Sequence, residues 1–500
     1  MVVMQVGMAC VMCGFAAPDA GGVSPEDLAA QLNSHASVKA PPAETAWAAL
    51  APAIRALPAP PDTVEPLRQD SIWPGMADWD AVSAWAAAGG DLAEAITDAA
   101  QRPVFGIKYG VAAAAPEDAA AGLVVELGTE DDRLILPSFR YLDGVAEMAV
   151  WTVAETYRLA EAGKAQEGLT LLLDELMVLR RLADREFMDE KEAALTLLAS
   201  GMHVFRDVTY RYMDDLSGAF LTHAALHDIP SLSPGRESLF MPEHDMRLCE
   251  ALLQNSFDQS LGLPLADEFP AVFTEVQVAA TNRPLQRFGA RRRWESIYEG
   301  QDSLEANKAR LQLIFDDWWR RWRSSDEDMM GRLILDQQSQ FELMNIARFA
   351  AIDAVIHDMR NLFKARTRLQ MEVNASATAA GLAAYRIERG LYPQTLRTAF
   401  GITMNKEWAK DGHATVSEGY RPWFRYRRLE APADLDIGTA RVEIPAGIGL
   451  LYSTGLDGVD GLATRHADER WQGDLIIWPP TEELLRGAEK PDAKATPPSR

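Results

Sequence analysis

The side chains best placed to do chemistry lie near the C-terminus, in Tyr452-Ser453-Thr454-Gly455-Leu456-Asp457-Gly458, with Asp460 just beyond and Asp474 heading the next apolar run. Carboxylates brought back by one loop and the following strand suit Ca²⁺, which takes six to eight oxygen ligands in flexible geometry. The competing reading is that Asp-Gly pairs simply make turns. His223-Ala-Ala-Leu-His227 sets two imidazoles one helical turn apart, a spacing that zinc accepts. The hydrolytic zinc motif needs Glu directly after its first His, where Ala224 stands, and only Asp228 or His244 offers a third ligand. Two exposed histidines at a helix end are the simpler account. Cys10 and Cys13 form a lone C-x-x-C inside an apolar leader, and Cys249 reads as a small buried residue. Three cysteines cannot build a disulfide framework. The chain carries no nucleophile elbow, P-loop, dinucleotide fingerprint or zinc-protease motif, so no catalytic residue is assigned.

The elements that must position these groups are mostly helical. Five hundred residues exceed a single core, and 48% hydrophobic content is enough for several. The balance of 73 acidic and 49 basic side chains, a formal charge of −24, repels a phosphate backbone and argues against nucleic acid as partner. The Arg287–Arg293 run is the one local exception, and it reads as a solvated helix start. Residues 1–20 look like an export signal without its basic start, with cleavage expected near Ala17 or Ala20. No later stretch is long and apolar enough to span a bilayer.

An Ala/Pro-rich linker over 21–70 is expected to carry short helices at Pro25–Leu32 and Thr45–Leu57. Residues 71–142 form a small mixed region with Trp73, Trp79 and Trp85, a helix at Asp78–Ala88, and three strands at Val104–Val111, Leu123–Leu127 and Arg133–Leu136. A helical body follows over 143–370. Its Leu169, Leu172, Leu173, Leu176, Leu179 and Leu182 share one stripe beyond the Ala162-Gly163-Lys164 turn, so this hairpin resembles one tetratricopeptide unit. A helix capped at Asp302-Ser303 should bury Leu311, Ile314, Phe315, Trp318 and Trp322 and leave Arg320, Arg321 and Arg323 in water. Past Gly331, a long helix is expected to carry Phe341 through Phe363. The next helix has a narrow small-residue face, Val373, Ala377, Ala380 and Ala384, and stops at Gly390 before Pro393. Short β runs at 437–444, 449–454 and 475–478 complete a head over 371–480, and the last residues, 481–500, should fray.

Ala383-Ala384-Tyr385-Arg386-Ile387-Glu388-Arg389-Gly390-Leu391-Tyr392-Pro393, the sheet after it, the 451–461 loop and Gly473-Asp474-Leu475-Ile476-Ile477-Trp478 resemble the globular head of the G-type pseudopilins of type II secretion. The long helical region resembles the one joined to such heads in uncharacterised planctomycete-type proteins. The resemblance implies a calcium-binding loop, with Asp457 and Asp474 at the family's acidic ligand positions and Asp460 beside them. The chain departs from the family at its start: Gly14-Phe15 is followed by no long apolar helix, and Arg366, Arg368, Glu372 and Arg386 interrupt the helix before the head. The expected fold is therefore mostly α, with a small β insert and a C-terminal α/β pseudopilin-like head. The expected function is a non-catalytic scaffold of the periplasm or cell envelope that binds a protein partner, with a calcium-stabilised head. An exported glycan hydrolase using the Trp-rich region is the alternative, and an uncleaved leader would make the chain a cytoplasmic adaptor.

Overall fold

The computed structural model describes residues 22–488, except 36–37, 66, 130–132, 235–238, 240, 282–285, 325–333, 413–421, 439, 456–458 and 467–472. It is mostly helical with a few small antiparallel sheets. The leader with Cys10 and Cys13, Gly331 and Asp457 lie outside the described residues.

Helices α1 (Pro25–Asn33) and α2 (Ala46–Ala56) start the described chain. They do not dangle from a flexible stretch: Leu28, Leu32, Trp47, Leu50 and Ile54 belong to the main core. Helices α3 (Trp79–Ala88), α4 (Gly90–Ala100) and the short α5 (Pro116–Ala120) follow. The β insert has two strands, not three: β1 (Val125–Gly128) pairs antiparallel with β2 (Leu134–Phe139). The expected strand at Val104–Val111 makes only isolated bridges, Val104 to Thr45 and Tyr109 to Val125, because Gly106 and Gly110 at positive φ break its run.

The body is built on α6 (Tyr141–Glu161), α7 (Ala165–Leu182) and α8 (Met188–Arg211). All six leucines of the α7 stripe are buried, and Gly163 turns the chain at φ +75°. Gly168 lets α6 and α7 touch, since a Cβ there would lie 2.7 Å from the Thr156 carbonyl oxygen. A short helix α9 (Gly218–His223) runs into a π-turn over Ala224–Asp228. Next come α10 (His244–Ser256), α11 (Glu268–Thr281), α12 (Arg287–Ile297) and α13 (Leu304–Arg323).

Helix α13 buries Leu311, Ile314, Phe315, Trp318 and Trp322 as its periodicity requires, but two details differ from expectation. Its cap is Ser303, which accepts from the Ala306 N–H, while Asp302 pairs with Arg348. Arg321 is buried too, because Asp317 and the carbonyls of Leu335 and Gln337 take its guanidinium. The long helix expected through Phe341–Phe363 is interrupted. Asn345 accepts from the Ala347 and Arg348 N–H groups, an Asx turn that competes with helix, and the stretch is split between α14 (Ala350–Val355) and a further helix that begins at Arg360.

Helix α15 (Arg360–Arg389) is the spine of the second half, and Gly390 ends it in the left-handed conformation. Its small-residue face packs against α8, and Ser376 Oγ reaches the Met202 carbonyl. After α16 (Leu396–Ala399) come β3 (Arg425–Arg428), β4 (Ala433–Asp436), β5 (Arg441–Ile444), β6 (Gly449–Ser453) and β7 (Leu475–Trp478). These form an antiparallel sheet β3-β6-β7 and a hairpin β4-β5. Strands β3 and β4 escaped the sequence reading, since arginines and aspartates dominate them. The segment expected to fray instead begins with α17 (Thr481–Ala488), whose Glu483 and Arg486 are buried. Among the described residues no helix is long and apolar enough to cross a membrane.

Candidate functional site

Buried ionisable groups gather where the α7–α8 turn meets the start of α10. Three segments far apart in sequence converge there: His35 just past α1, Glu186 in the turn, and His244 opening α10. Their ligand-type atoms lie within 4.8 Å of one another, the one such group of three His, Cys, Asp or Glu side chains among the described residues. Glu186 and His244 are buried, and the His35 side chain keeps 35% of its exposure. His35 Nδ1 is 2.5 Å from Glu186 Oε1, and His244 Nε2 is 4.0 Å from Glu186 Oε2. His35 and Glu186 thus form a close pair, whereas the buried His244 Nε2 has no hydrogen-bond partner.

A second layer fixes the imidazole of His244. Tyr109 Oη lies 2.7 Å from Glu190 Oε2 and 3.2 Å from His244 Nδ1. The phenol has one proton, and the carboxylate is the better acceptor, so His244 must donate through Nδ1–H. That leaves the Nε2 lone pair turned toward Glu186. Tyr141 Oη also donates to Glu190, at 2.5 Å, and the Arg185 guanidinium donates to Glu190 Oε1 at 3.0 Å and to the Ile107 carbonyl at 2.8 Å. The guanidinium lies 4.1 Å above the Tyr109 ring.

Burial, then the charges of Arg185 and neighbouring cations, drives the His244 pKa down to about 2, so this imidazole stays neutral. The contact with Glu186 outweighs desolvation at His35 and raises its pKa. Burial lowers Lys191 to about 7, and its ammonium donates to the Ala183 carbonyl. Two neutral-capable imidazoles and one carboxylate form a donor set that divalent transition metals accept.

No protein family, curated protein or solved structure matches the chain. Function must therefore be argued from the geometry alone.

The sequence singled out other residues. Asp460 and Asp474 do come together around one turn: Asp474 accepts from the Gly461 and Ala463 N–H groups, and Asp460 accepts from Leu462 N–H and from Tyr452 Oη at 3.0 Å. Asp474 is buried, whereas Asp460 faces Arg425 at 3.5 Å. His223 and His227 stack at 4.9 Å on the surface, with His223 3.4 Å from Asp228. His244, named as a third ligand for that pair, belongs to the interior cluster instead. The tryptophans face inward: Trp85 donates to the Pro58 carbonyl, Trp79 meets Tyr157 edge-on, and Arg486 covers Trp73. His35 and Glu186 went unnoticed, because residues 151 positions apart carry no spacing signal.

A second network ties α15 and α17 to α8. Glu372 on α15 takes His203 Nε2 and Arg206 of α8, both at 2.8 Å, and Arg206 also donates to Ser376. Arg486 of α17 donates to Glu483 at 2.7 Å, to Asp207 at 3.2 Å and to the Asp70 carbonyl at 2.8 Å. A third feature is a cleft of about 700 Å³ beside α13, lined by Met241, Met246, Leu313, Phe315, Trp319, Glu243 and Asp316, with Gln312, Arg320 and Gln340.

Proposed function

We propose that the chain is a non-catalytic interaction scaffold that holds a basic, amphipathic helical segment of a partner protein in the cleft beside α13. The observation that carries this reading is the cleft's lining. Leu313 and Trp319 are 51% and 38% exposed although both are large and apolar, and methionines 241 and 246 supply a deformable floor. Apolar area left in water at a concave, flexible surface suits a helix laid in by its apolar face. Glu243 and Asp316 at the rim, and the net charge of −24, favour a partner whose polar face is basic.

The finer features implied by resemblance belong with this proposal. They are a pseudopilin-like head, a tetratricopeptide-like α6–α7 hairpin, an envelope location, and a calcium site built from Asp457, Asp460 and Asp474. The meeting of Asp460 and Asp474 at one turn supports the last of these. The Trp-rich region offers no observation in favour of glycan hydrolysis, since its rings serve packing. A benzophenone side chain placed at position 313 tests the reading. Illuminated with a basic amphipathic helical peptide, it should cross-link to the peptide's apolar positions, whereas a probe at exposed Leu67 should not. Equal labelling from both positions would remove the cleft from the account.

A further inference from the structure

We propose that His35, Glu186 and His244 bind one divalent transition-metal ion, with Zn²⁺ as the representative, clamping the end of α1, the α7–α8 turn and the start of α10 together. One ligand-type atom from each residue lies within 4.8 Å of the others: His35 Nδ1 and Glu186 Oε1 face each other at 2.5 Å, and the buried His244 Nε2 has no hydrogen-bond partner. Leaving buried polar atoms unsatisfied costs on the order of 1–3 kcal/mol apiece. His244 Nε2 is such an atom, and it is aimed at a carboxylate that already holds a second imidazole, which marks a place for a cation among the three.

Tetrahedral zinc with ligands at about 2.0–2.1 Å has ligand–ligand edges of about 3.3 Å. The observed separations are 2.5 Å from His35 Nδ1 to Glu186 Oε1 and 4.0 Å from His244 Nε2 to the other carboxylate oxygen, Oε2, so the carboxylate lies between the two imidazoles. Seating an ion requires the first separation to open and the second to close by rotation of the side chains. Zinc requires neutral imidazole and ionised carboxylate, and the second layer provides for this. Tyr109, itself donating to Glu190, accepts the hydrogen bond of His244 Nδ1–H and leaves Nε2 free to bind, the arrangement that outer-shell partners give metal-bound histidines. His244 is further enclosed by the rings of Tyr109, Phe187 and His35, at 5.2, 5.4 and 5.5 Å, which hold its plane. The partial exposure of His35 gives the ion a route from solvent and leaves room for water in the fourth position. Glu243 and Arg247 of α10 contribute one charge of each sign at this edge.

The nitrogen donors exclude Ca²⁺ and Mg²⁺, which prefer all-oxygen shells, so this site is independent of the aspartates of the head. It shares Glu243 with the rim of the cleft beside α13 but takes none of its ligands from that lining. The clamp ties residues 151 and 209 positions apart, which makes metal binding a contribution to the folded state.

The test uses the full chain, stripped with chelator and titrated with Zn²⁺ against a chromogenic competitor, and with Co²⁺ as a visible reporter of coordination. The expected result is one equivalent bound, with the intense visible absorption of four-coordinate Co²⁺. His35→Ala and Glu186→Gln should each weaken binding by more than the roughly 10–100-fold that loss of an outer-shell partner costs, and Tyr109→Phe should fall within that range. His35→Ala is at a half-open position and Glu186→Gln keeps shape, so circular dichroism of both should match the parent chain. The double variant His223→Ala/His227→Ala should bind as the parent does. Stoichiometric binding that survives both His35→Ala and Glu186→Gln, or a parent chain that takes up no Zn²⁺, overturns the proposal.

Discussion

Glu175 offers a sharp test of the energetics, because α7 holds its carboxyl fully buried with no hydrogen-bond partner at either oxygen. Burial alone raises its pKa well above the ordinary carboxyl value. Glu175→Met keeps the unbranched length and removes the polar atoms. At pH 4 the side chain is largely protonated in both states, and the substitution should gain only the cost of the unsatisfied group, about 1–3 kcal/mol. Above the unfolded value of about 4.3, folding must also recover a proton, at about 1.4 kcal/mol per pH unit up to the folded pKa. The sign is that of a raised pKa: stability present at low pH is lost as pH rises. The variant's extra gain therefore grows with pH from the unfolded value up to the raised folded one. At about 2.1 cal/mol/K per residue, a chain of this size moves its melting midpoint about 1 °C per kcal/mol. Paired thermal melts at pH 4.5 and pH 7.5 should show a larger advantage of the variant at the higher pH. An advantage that stays constant or shrinks with pH would refute the reasoning.

Glu372 should behave in the opposite sense: despite burial, His203 and Arg206 hold its carboxyl well below the ordinary range. Glu372→Gln strands Arg206 in the interior and should cost about 3–5 kcal/mol in urea unfolding at pH 7; the penalty should fade as pH drops below about 4.3, and a pH-independent penalty would contradict the pairing. Gly168→Ala should destabilise by about 1–3 kcal/mol because its Cβ meets the Thr156 carbonyl, outweighing the helix-propensity gain of up to about 1 kcal/mol. Gly289→Ala, also helical but with open space around it, should stabilise by that gain, and melts of the two variants moving the same way would count against the packing argument. If the head binds calcium, a hundredfold excess over Kd should stabilise the full chain by about 2.7 kcal/mol, and Asp457→Ala should abolish the effect; an unchanged midpoint in millimolar Ca²⁺ leaves Asp460 and Asp474 as turn formers.

The helices were legible where apolar periodicity had a single solution. The α7 leucines, the α13 aromatics and the alanine face of α15 all lie where 3.6-residue spacing puts them. What escaped was set by partners distant in sequence. Arg321 looks solvent-bound until Asp317 and the carbonyls of 335 and 337 enclose it, and the 341–363 periodicity yields to the side-chain hydrogen bonds of Asn345. Strand β3 reads as a basic loop because Arg425, Arg427 and Arg428 pair with β6 through backbone alone. The candidate metal site was illegible for the same reason. His35, Glu186 and His244 are joined only by the packing of three segments, and the one local hint was the charge-rich Asp184-Arg185-Glu186 between two apolar helices.

The central claim, a partner helix held beside α13, is tested most directly by a fluorescence anisotropy titration. The labelled ligand is a basic amphipathic helical peptide, titrated with the full chain at low and high salt. The account predicts saturable 1:1 binding that weakens with salt, falls at least about tenfold in Leu313→Asp, and is unchanged in Leu67→Asp, with an acidic peptide of the same apolar pattern binding poorly. Equal affinity of the parent chain and Leu313→Asp for the basic peptide would contradict it.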